Sequence, residues 1–156
     1  MSSDIRTSRG GWWVVGQFII LAMIVTAGII REGHYTGGVL STVVGAVLCL
    51  VAVGFGWRGF VTLGNNLTAF PKPLDDGQLV ITGVYAIVRH PIYTAVLCGS
   101  AGYALLTTSW VGLVLTGVLG VWFEFKSRRE ERFLRERFPT YAAYAQTVKK
   151  FLPRIY

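Results

Sequence analysis

Uncharged apolar blocks of membrane-spanning length constrain this chain more than any other feature of its sequence. Residues 11–30 and 37–57 contain no Asp, Glu, Lys or Arg. Because about 20 apolar residues are needed to cross the hydrocarbon core of a bilayer, each block can form one transmembrane helix. Two shorter apolar blocks follow, from residue 91 to about 108 and from 110 to about 125. The sequence therefore predicts an all-α integral membrane protein with about four transmembrane helices.

Composition and charge agree with a membrane protein. Hydrophobic residues make up 53% of the 156 positions and charged residues 15%, and the net charge is +7. The basic residues lie outside the apolar blocks, and no helix-turn-helix, zinc-finger or RNA-binding signature is present. We therefore expect contact with membrane lipid and no nucleic-acid partner. Cys49 and Cys98 fall inside apolar blocks and are expected to be small buried hydrophobes, so no disulfide and no metal site is predicted.

The distribution of basic residues predicts the topology. Arg6 and Arg9 precede the first block, only Arg31 marks the connection between the first two blocks, and nine of the fifteen basic residues follow Phe125. With four crossings, the positive-inside rule places the N-terminus, the connection between the second and third blocks, and the C-terminus in the cytoplasm.

The third and fourth blocks are predicted to form a tight helical hairpin. Small residues spaced for close backbone approach occur on both sides of it. They are Ala95 and Gly99 on one side and Gly112, Thr116 and Gly120 on the other. The connection that precedes the hairpin begins at Arg58 and cannot be one continuous helix, because it contains Pro71, Pro73 and the Asp-Asp-Gly sequence at 75–77. Its apolar residues favour a packed loop.

The first candidate for chemistry is the sequence Arg89-His90-Pro91. Proline is well tolerated in the first turn of a helix, so the two preceding residues stand at the mouth of the third apolar block. Free N–H groups and the positive end of the helix dipole there favour an anionic group such as a carboxylate or phosphate. The alternative is that Arg89 only marks topology and His90 is an interfacial residue without a role.

The second candidate is a pair of carboxylates, Glu130 and Glu131, within a segment 124–144 that is predicted to continue the fourth block as a helix. The pair lies on or beside one apolar stripe of that helix, where desolvation calls for a partner. The stripe comprises Phe123, Leu134, Phe138 and Tyr141. The alternative is a solvated helix with pairs such as Glu131 with Arg135. If the hairpin forms, both candidates share one membrane face and could surround a zwitterionic ligand such as a free amino acid moiety.

These two segments carry a family resemblance. The sequence "GVYAIVRHPIY", followed about forty residues later by "EERFLRERFPTYAAYAQTVKKFLPRIY", resembles the isoprenylcysteine carboxyl methyltransferases and the related phospholipid methyltransferases over about residues 64–156. The resemblance implies a cytosol-facing S-adenosylmethionine pocket formed with a C-terminal helix. It implies that one wall comprises Tyr85, Arg89, His90, Pro91 and Tyr93, and the other Glu130 and Glu131. Catalytic roles are expected for Arg89, His90 and Glu130, and cofactor contacts for Tyr85, His90, Pro91, Tyr93 and Glu131.

Within that resemblance, Glu131 is assigned to the amino group of the cofactor, and Glu130 to the substrate or to Arg89. Residues 1–63 are expected to form an N-terminal two-span region and residues 64–156 the cofactor-binding region of one integrated domain. The implied activity is methyl transfer to a carboxylate or an amine of a lipophilic or lipidated substrate, in a prokaryotic inner membrane. Which acceptor is used, and which glutamate contacts the cofactor, the sequence leaves open.

Two other functions are compatible with the same residues. Membrane sterol and steroid reductases share a similar corner and tail and bind NADPH. A non-enzymatic scaffold could instead bind anionic lipid through its basic tail. The tail cluster comprises Lys126, Arg128, Arg129, Arg132, Arg135 and Arg137.

Overall fold

The computed structural model of the chain describes residues 10–30, 34–72 and 74–156. Within these ranges the regular structure is helical, apart from two isolated β-bridges. The five α-helices are α1 (Gly11–Ile29), α2 (Val39–Leu63), α3 (Pro91–Leu106), α4 (Trp110–Arg137) and α5 (Tyr141–Thr147), with 3₁₀ turns at Gly64–Asn66 and Gly83–Ala86. Arg6, Arg9, Arg31 and Pro73, which the sequence interpretation used, lie outside the described residues.

Three helical segments of the described chain are long and apolar enough to cross a membrane: Gly11–Ile29, Val39–Asn66 and Trp110–Arg137. This confirms the predicted all-helical membrane fold. The fourth apolar helix, α3, has 16 residues. At 1.5 Å per residue it is about 24 Å long, which is short of the roughly 30 Å hydrocarbon core. The count of four crossings, and the topology derived from it, stay predictions.

Helix α2 is longer than predicted. The second block was expected to end before Arg58, but the helix continues to Leu63 and Arg58 lies inside it. A long arginine side chain can reach water from within a helix, so a single charge does not end one. The helix ends where Gly64 adopts a φ of +51° at the C-cap, a left-handed conformation that favours glycine.

Helix α4 continues through the polar segment but stops earlier than predicted. It ends at Arg137, whereas the sequence interpretation extended it to Tyr144. Pro139 accounts for the difference, because a residue before proline is excluded from the helical conformation, and Phe138 is indeed extended. The chain then forms α5 as a separate short helix, and the tail turns back toward the start of α3.

The small residues of α3 pack mainly against α2 and not against α4, contrary to the predicted hairpin interface. A Cβ atom placed on Gly99 would lie 3.4 Å from the Cβ of Ala52, and one on Gly102 would lie 2.7 Å from the carbonyl oxygen of Gly45. The hairpin itself is close near its turn, where a Cβ on Gly112 would lie 3.0 Å from Ala104. Both helices contained suitable small residues, so spacing alone could not select the partner.

Helix α1 packs against α4 through tryptophan. The indole of Trp122 donates to the carbonyl of Trp13 at 3.0 Å, and a Cβ on Gly16 would lie 2.2 Å from the Trp122 ring. Only glycine therefore allows this close approach. The buried core between these helices and the tail comprises Ile24, Leu119, Phe123 and Phe151.

Candidate functional site

The tail of the chain covers the start of α3. The backbone N–H groups of Arg89 and His90 donate to the carbonyls of Lys149 (2.8 Å) and Lys150 (3.1 Å). The hydroxyl of Thr94 donates to the carbonyl of Phe151 at 2.9 Å. The two residues just before α3 therefore use their N–H groups within the protein, and an anionic ligand at the helix mouth stays a prediction that concerns the first-turn N–H groups of Ile92 and Tyr93.

Arg89 joins α3, α4 and α5. Its Nε donates to Glu131 Oε1 at 3.0 Å, and its Nη1 donates to the carbonyls of Ala145 (2.9 Å) and Val148. The Arg89 side chain is 11% exposed. Because the guanidinium is fixed at both ends, it sets the position of α5 relative to the corner at the start of α3.

Glu131 is surrounded by three basic side chains. Besides Arg89, it accepts from His90 Nε2 at 3.1 Å and lies 3.7 Å from Arg135 Nη2. Its side chain is only 7% exposed. A buried carboxylate with these partners is ionised, and its oxygens are committed to neighbouring side chains.

Glu130 has a different environment from its neighbour. Its Oε2 accepts from the Tyr93 hydroxyl at 2.8 Å and lies 3.8 Å from His90 Nδ1, and its side chain is 27% exposed. The rings of His90 and Tyr93 are stacked, with centroids 5.2 Å apart. The imidazole of His90 therefore bridges the two glutamates, with one nitrogen toward each.

Two cavities adjoin this cluster. The first lies under the connection between α2 and α3 and against the tail; its lining includes Phe70, Leu74, Val80, Leu134, Phe138, Tyr141 and Tyr144. The second, of about 350 Å³, extends toward α1 and the apolar helices; its lining includes Gln17, Ile92, Val96, Phe123 and Lys126. Tyr85, Arg89, His90 and Glu130 line both cavities. The cluster is thus the wall that the two cavities share.

The first cavity is covered by a loop that is held by exposed hydrogen bonds. The guanidinium of Arg137 donates to the carbonyls of Leu74 and Asp75, and Gln78 N donates to Asn66 Oδ1 at 2.7 Å. This confirms the packed loop expected from its apolar residues. About 80 Å³ is free beneath it, which is the space of a few water molecules. A ligand of nucleoside size therefore requires the loop to move outward.

Tyrosine hydroxyls face the first cavity as neutral groups. Burial raises the pKa of Tyr85 and of Tyr141 far above the ordinary value; the charge of Glu130 raises the pKa of Tyr85 further, and the charges of Glu131 and Glu130 raise that of Tyr141. Burial likewise raises the pKa of Tyr144 to about 12. The Tyr144 hydroxyl donates to the Tyr85 carbonyl. The buried Tyr141 hydroxyl has no hydrogen-bond partner in the described part of the chain, which leaves it available to a ligand.

The structure brings most of the predicted site residues together, but only some of them line a cavity. Tyr85, Arg89, His90 and Glu130 line both cavities, and Tyr93 lines the second. Pro91 is buried and lines neither cavity. It begins α3 and packs close to α2, where a Cβ atom placed on Gly59 would lie 3.5 Å from the proline ring. Glu131 also lines neither cavity. The geometry therefore favours Glu130 over Glu131 for ligand contact, and the assignment of Glu131 to the cofactor stays a prediction.

Several residues that line the cavities were not predicted as site residues, among them Tyr141, Tyr144 and Lys126. Tyr141 and Tyr144 lie within the quoted tail motif and could have been chosen from it. Lys126 was placed in the exposed basic cluster, but the structure buries it against Gln17 of α1. The sequence contains no local signal for that burial, because it depends on the packing of α1 against α4.

The fold has a counterpart among solved membrane enzymes. It is similar to the eukaryotic intramembrane Ras methyltransferase ICMT (isoprenylcysteine carboxyl methyltransferase), with a TM-score of 0.65 and 23% sequence identity. The similarity covers 99% of this chain and 54% of that one. The chain is thus a helical membrane protein with the fold of that methyltransferase. It spans about half the length of that structure.

Sequence comparison gives the family. Residues 40–141 match the phospholipid methyltransferase family, so the chain belongs to that family. It is 30% identical to the cobalt-zinc-cadmium resistance protein CzcN of Cupriavidus metallidurans, over 99% of this chain and 68% of that protein. It is 32% identical to a probable protein-S-isoprenylcysteine O-methyltransferase of Oryza sativa, over 76% of this chain and 60% of that protein.

These comparisons confirm the family resemblance seen in the two sequence motifs, and with it the prediction of a membrane methyltransferase. The similarity extends beyond the predicted 64–156 region, since the family match begins at residue 40 and the structural match covers 99% of this chain. Among the described residues, no three His, Cys, Asp or Glu side chains come together as a metal site. The absence of a metal from the reaction stays a prediction.

Proposed function

We propose that this chain binds S-adenosylmethionine in the first cavity and a lipophilic methyl acceptor in the second. The observation that carries the proposal is the shared wall, where Tyr85, Arg89, His90 and Glu130 line both cavities, so that ligands of the two cavities can meet there. When bound, S-adenosylmethionine supplies a methyl group activated by a sulfonium centre. Displacement at such a group needs positioning and electrostatics more than an enzymic nucleophile.

The residues of the first cavity suit this cofactor. The cofactor carries an amino group and a sulfonium, both cationic, and Glu130 offers a carboxylate that lines the cavity. The Tyr141 hydroxyl, which has no hydrogen-bond partner among residues 10–30, 34–72 and 74–156, is a buried donor for a polar group of the ligand. The ring of Tyr85 adds a π-face that lowers the desolvation cost of a cation. Glu130, Tyr141 and Tyr85 would therefore hold the cofactor.

The remaining polar residues position this set. Glu131 fixes Arg89 and His90 through hydrogen bonds of 3.0 and 3.1 Å, so it acts on the site through them. His90 Nδ1, 3.8 Å from Glu130, is the group placed to take a proton from an amine acceptor. A carboxylate acceptor would need no base, and Arg89 or a second cation would then orient it. In either reaction the shared wall is where the acceptor atom meets the methyl group.

The relatives that act on isoprenylcysteine support a lipophilic or lipidated acceptor, and the apolar lining of the second cavity by Ile92, Val96 and Phe123 supports it independently. The positive-inside bias of the sequence supports a cytoplasmic cofactor cavity, with both termini on that side and α3 as a fourth crossing. For this chain, a prokaryotic inner membrane remains the proposed location.

Isothermal titration calorimetry of the purified chain tests the proposal. S-adenosylmethionine should bind saturably, and Glu130→Gln and Tyr141→Phe should each weaken binding by about tenfold, the value of one hydrogen bond to a charged group. Glu136→Gln, which changes an exposed carboxylate on the same helix, is the matched control and should bind like the wild type. Saturable binding of NADPH with no binding of S-adenosylmethionine would instead establish the reductase alternative.

A further inference from the structure

Lys126 is a buried cation in a place where burial is costly. It lies on α4, directly after the apolar part of that helix, and is 1% exposed. Removing an ammonium group from water is strongly unfavourable unless an opposite charge or several hydrogen bonds compensate. An ionisable group buried in a membrane-spanning helix is for this reason a marker of function.

The partners of Lys126 compensate it only in part. Its Nζ donates to Gln17 Oε1 of α1 at 2.5 Å and lies 5.1 Å from the centroid of the Tyr93 ring. Within the described residues, no carboxylate forms an ion pair with it. A lysine ammonium has three donors, and Gln17 accepts from one of them.

A second buried lysine shows what full compensation looks like in the same molecule. Lys150 is also buried, and its Nζ lies 3.0 Å from both carboxylate oxygens of Glu124. Lys126 has a neutral amide in the corresponding role. Among the described residues, one buried lysine is therefore paired directly with a carboxylate and the other is not.

The position of Lys126 and Gln17 is fixed by the packing of α1 on α4. The hydrogen bond from Trp122 to the Trp13 carbonyl and the close contact at Gly16 join the two helices next to the pair. Both residues line the second cavity. Tyr93 lies between this pair and the shared wall, since its ring faces Lys126 Nζ and its hydroxyl donates to Glu130.

We propose that Lys126, oriented by Gln17, binds an anionic oxygen group of the lipophilic acceptor, either a carboxylate or a phosphate. This inference rests on the proposed role of the second cavity as the acceptor cavity. An anion there supplies the missing charge partner of Lys126 and occupies its free donors. The subsite selects acidic amphiphiles over neutral or cationic ones of the same chain length.

Fluorescence titration in nanodiscs of neutral lipid, without cofactor, tests the subsite. The probes are a palmitate labelled with a fluorophore at its chain end, the methyl ester of the same compound, and the alkyl phosphate of matching length. The wild type should bind the acid or the phosphate at least tenfold more tightly than the ester, as expected for a charge-assisted hydrogen bond. The ratio of acid to phosphate affinity identifies which anion the subsite takes.

Variants attribute the selectivity to the proposed residues. Lys126→Met should abolish the preference for the anion and keep the affinity for the ester, and Lys150→Met, which changes the carboxylate-paired lysine, should keep the preference. Gln17→Glu gives Lys126 an internal carboxylate and should abolish the preference in a folded protein even if Lys126→Met does not fold. Equal binding of acid and ester by the wild type, or an unchanged preference in Gln17→Glu, overturns the proposal. Because cofactor binding is measured separately, a failure here leaves the S-adenosylmethionine result unaffected.

Discussion

Glu130 and Glu131 are adjacent and chemically identical, yet the structure predicts very different consequences for the same substitution at each. Glu131→Gln removes the charge that Arg89 and His90 contact at 3.0 and 3.1 Å, in a side chain that is 7% exposed. Breaking a buried ion pair from one side costs about 3 kcal/mol of unfolding free energy, because the remaining cation stays buried. We therefore expect Glu131→Gln to destabilise the protein by about that amount.

Glu130→Gln should cost much less. The glutamine oxygen can still accept from the Tyr93 hydroxyl, and the ion-pair contact of Glu130 among the described residues is a long one, 3.8 Å to His90 Nδ1. A partly exposed interaction of this kind contributes less than about 1 kcal/mol. Glu130→Gln is accordingly the matched control for stability, while being the variant that loses cofactor affinity.

The assay is unfolding in mixed micelles of a nonionic detergent and sodium dodecyl sulfate, followed by circular dichroism. Glu131→Gln should unfold at a clearly lower mole fraction of the denaturing detergent than Glu130→Gln. If the two variants unfold together, or if Glu130→Gln is the less stable one, the assignment of Glu131 as the buried centre of the cluster is refuted.

Two further outcomes follow from contacts described above. Gly16→Ala places a methyl group against the Trp122 ring and should lower the unfolding free energy by about 2 kcal/mol, whereas Gly54→Ala, where no atom lies within 4 Å, should be nearly neutral; thermal unfolding distinguishes them. Burial raises the pKa of Tyr144 from its ordinary 10.0 to about 12, so the folded state holds the phenol proton more tightly than the unfolded one. The stability due to this group is present below pH 10 and is lost as the pH rises toward 12. The loss should be smaller in Tyr144→Phe. Identical pH profiles of thermal unfolding for the variant and the wild type would contradict this expectation.

The features that were predictable from the sequence are those determined locally. The apolar blocks located the long helices, Pro91 marked the start of α3, and the resemblance brought the corner at Arg89 and His90 to the glutamate pair. The end of α4 was also available locally, since Pro139 excludes Phe138 from a helix.

The features that were not predictable depend on tertiary packing. Adjacent helix residues point about 100° apart, so which glutamate faces a cavity depends on how the tail folds back over α4. The small residues of α3 could serve either neighbouring helix, and their use by α2 is decided in three dimensions. In the sequence, Lys126 is one of several charges in a basic tail, and its burial becomes evident only when α1 packs beside it.

The tail segment that crosses the start of α3 has a consequence for biosynthesis. Val88 pairs with Lys149 in a parallel bridge, and the two N–H groups that follow Val88 donate to carbonyls of the same tail segment. A ribosome delivers the corner to the membrane well before it has made residues 149–151. The shared wall of the two cavities is thus assembled late, because the corner at the start of α3 acquires its backbone partners only from the last residues of the chain to be made.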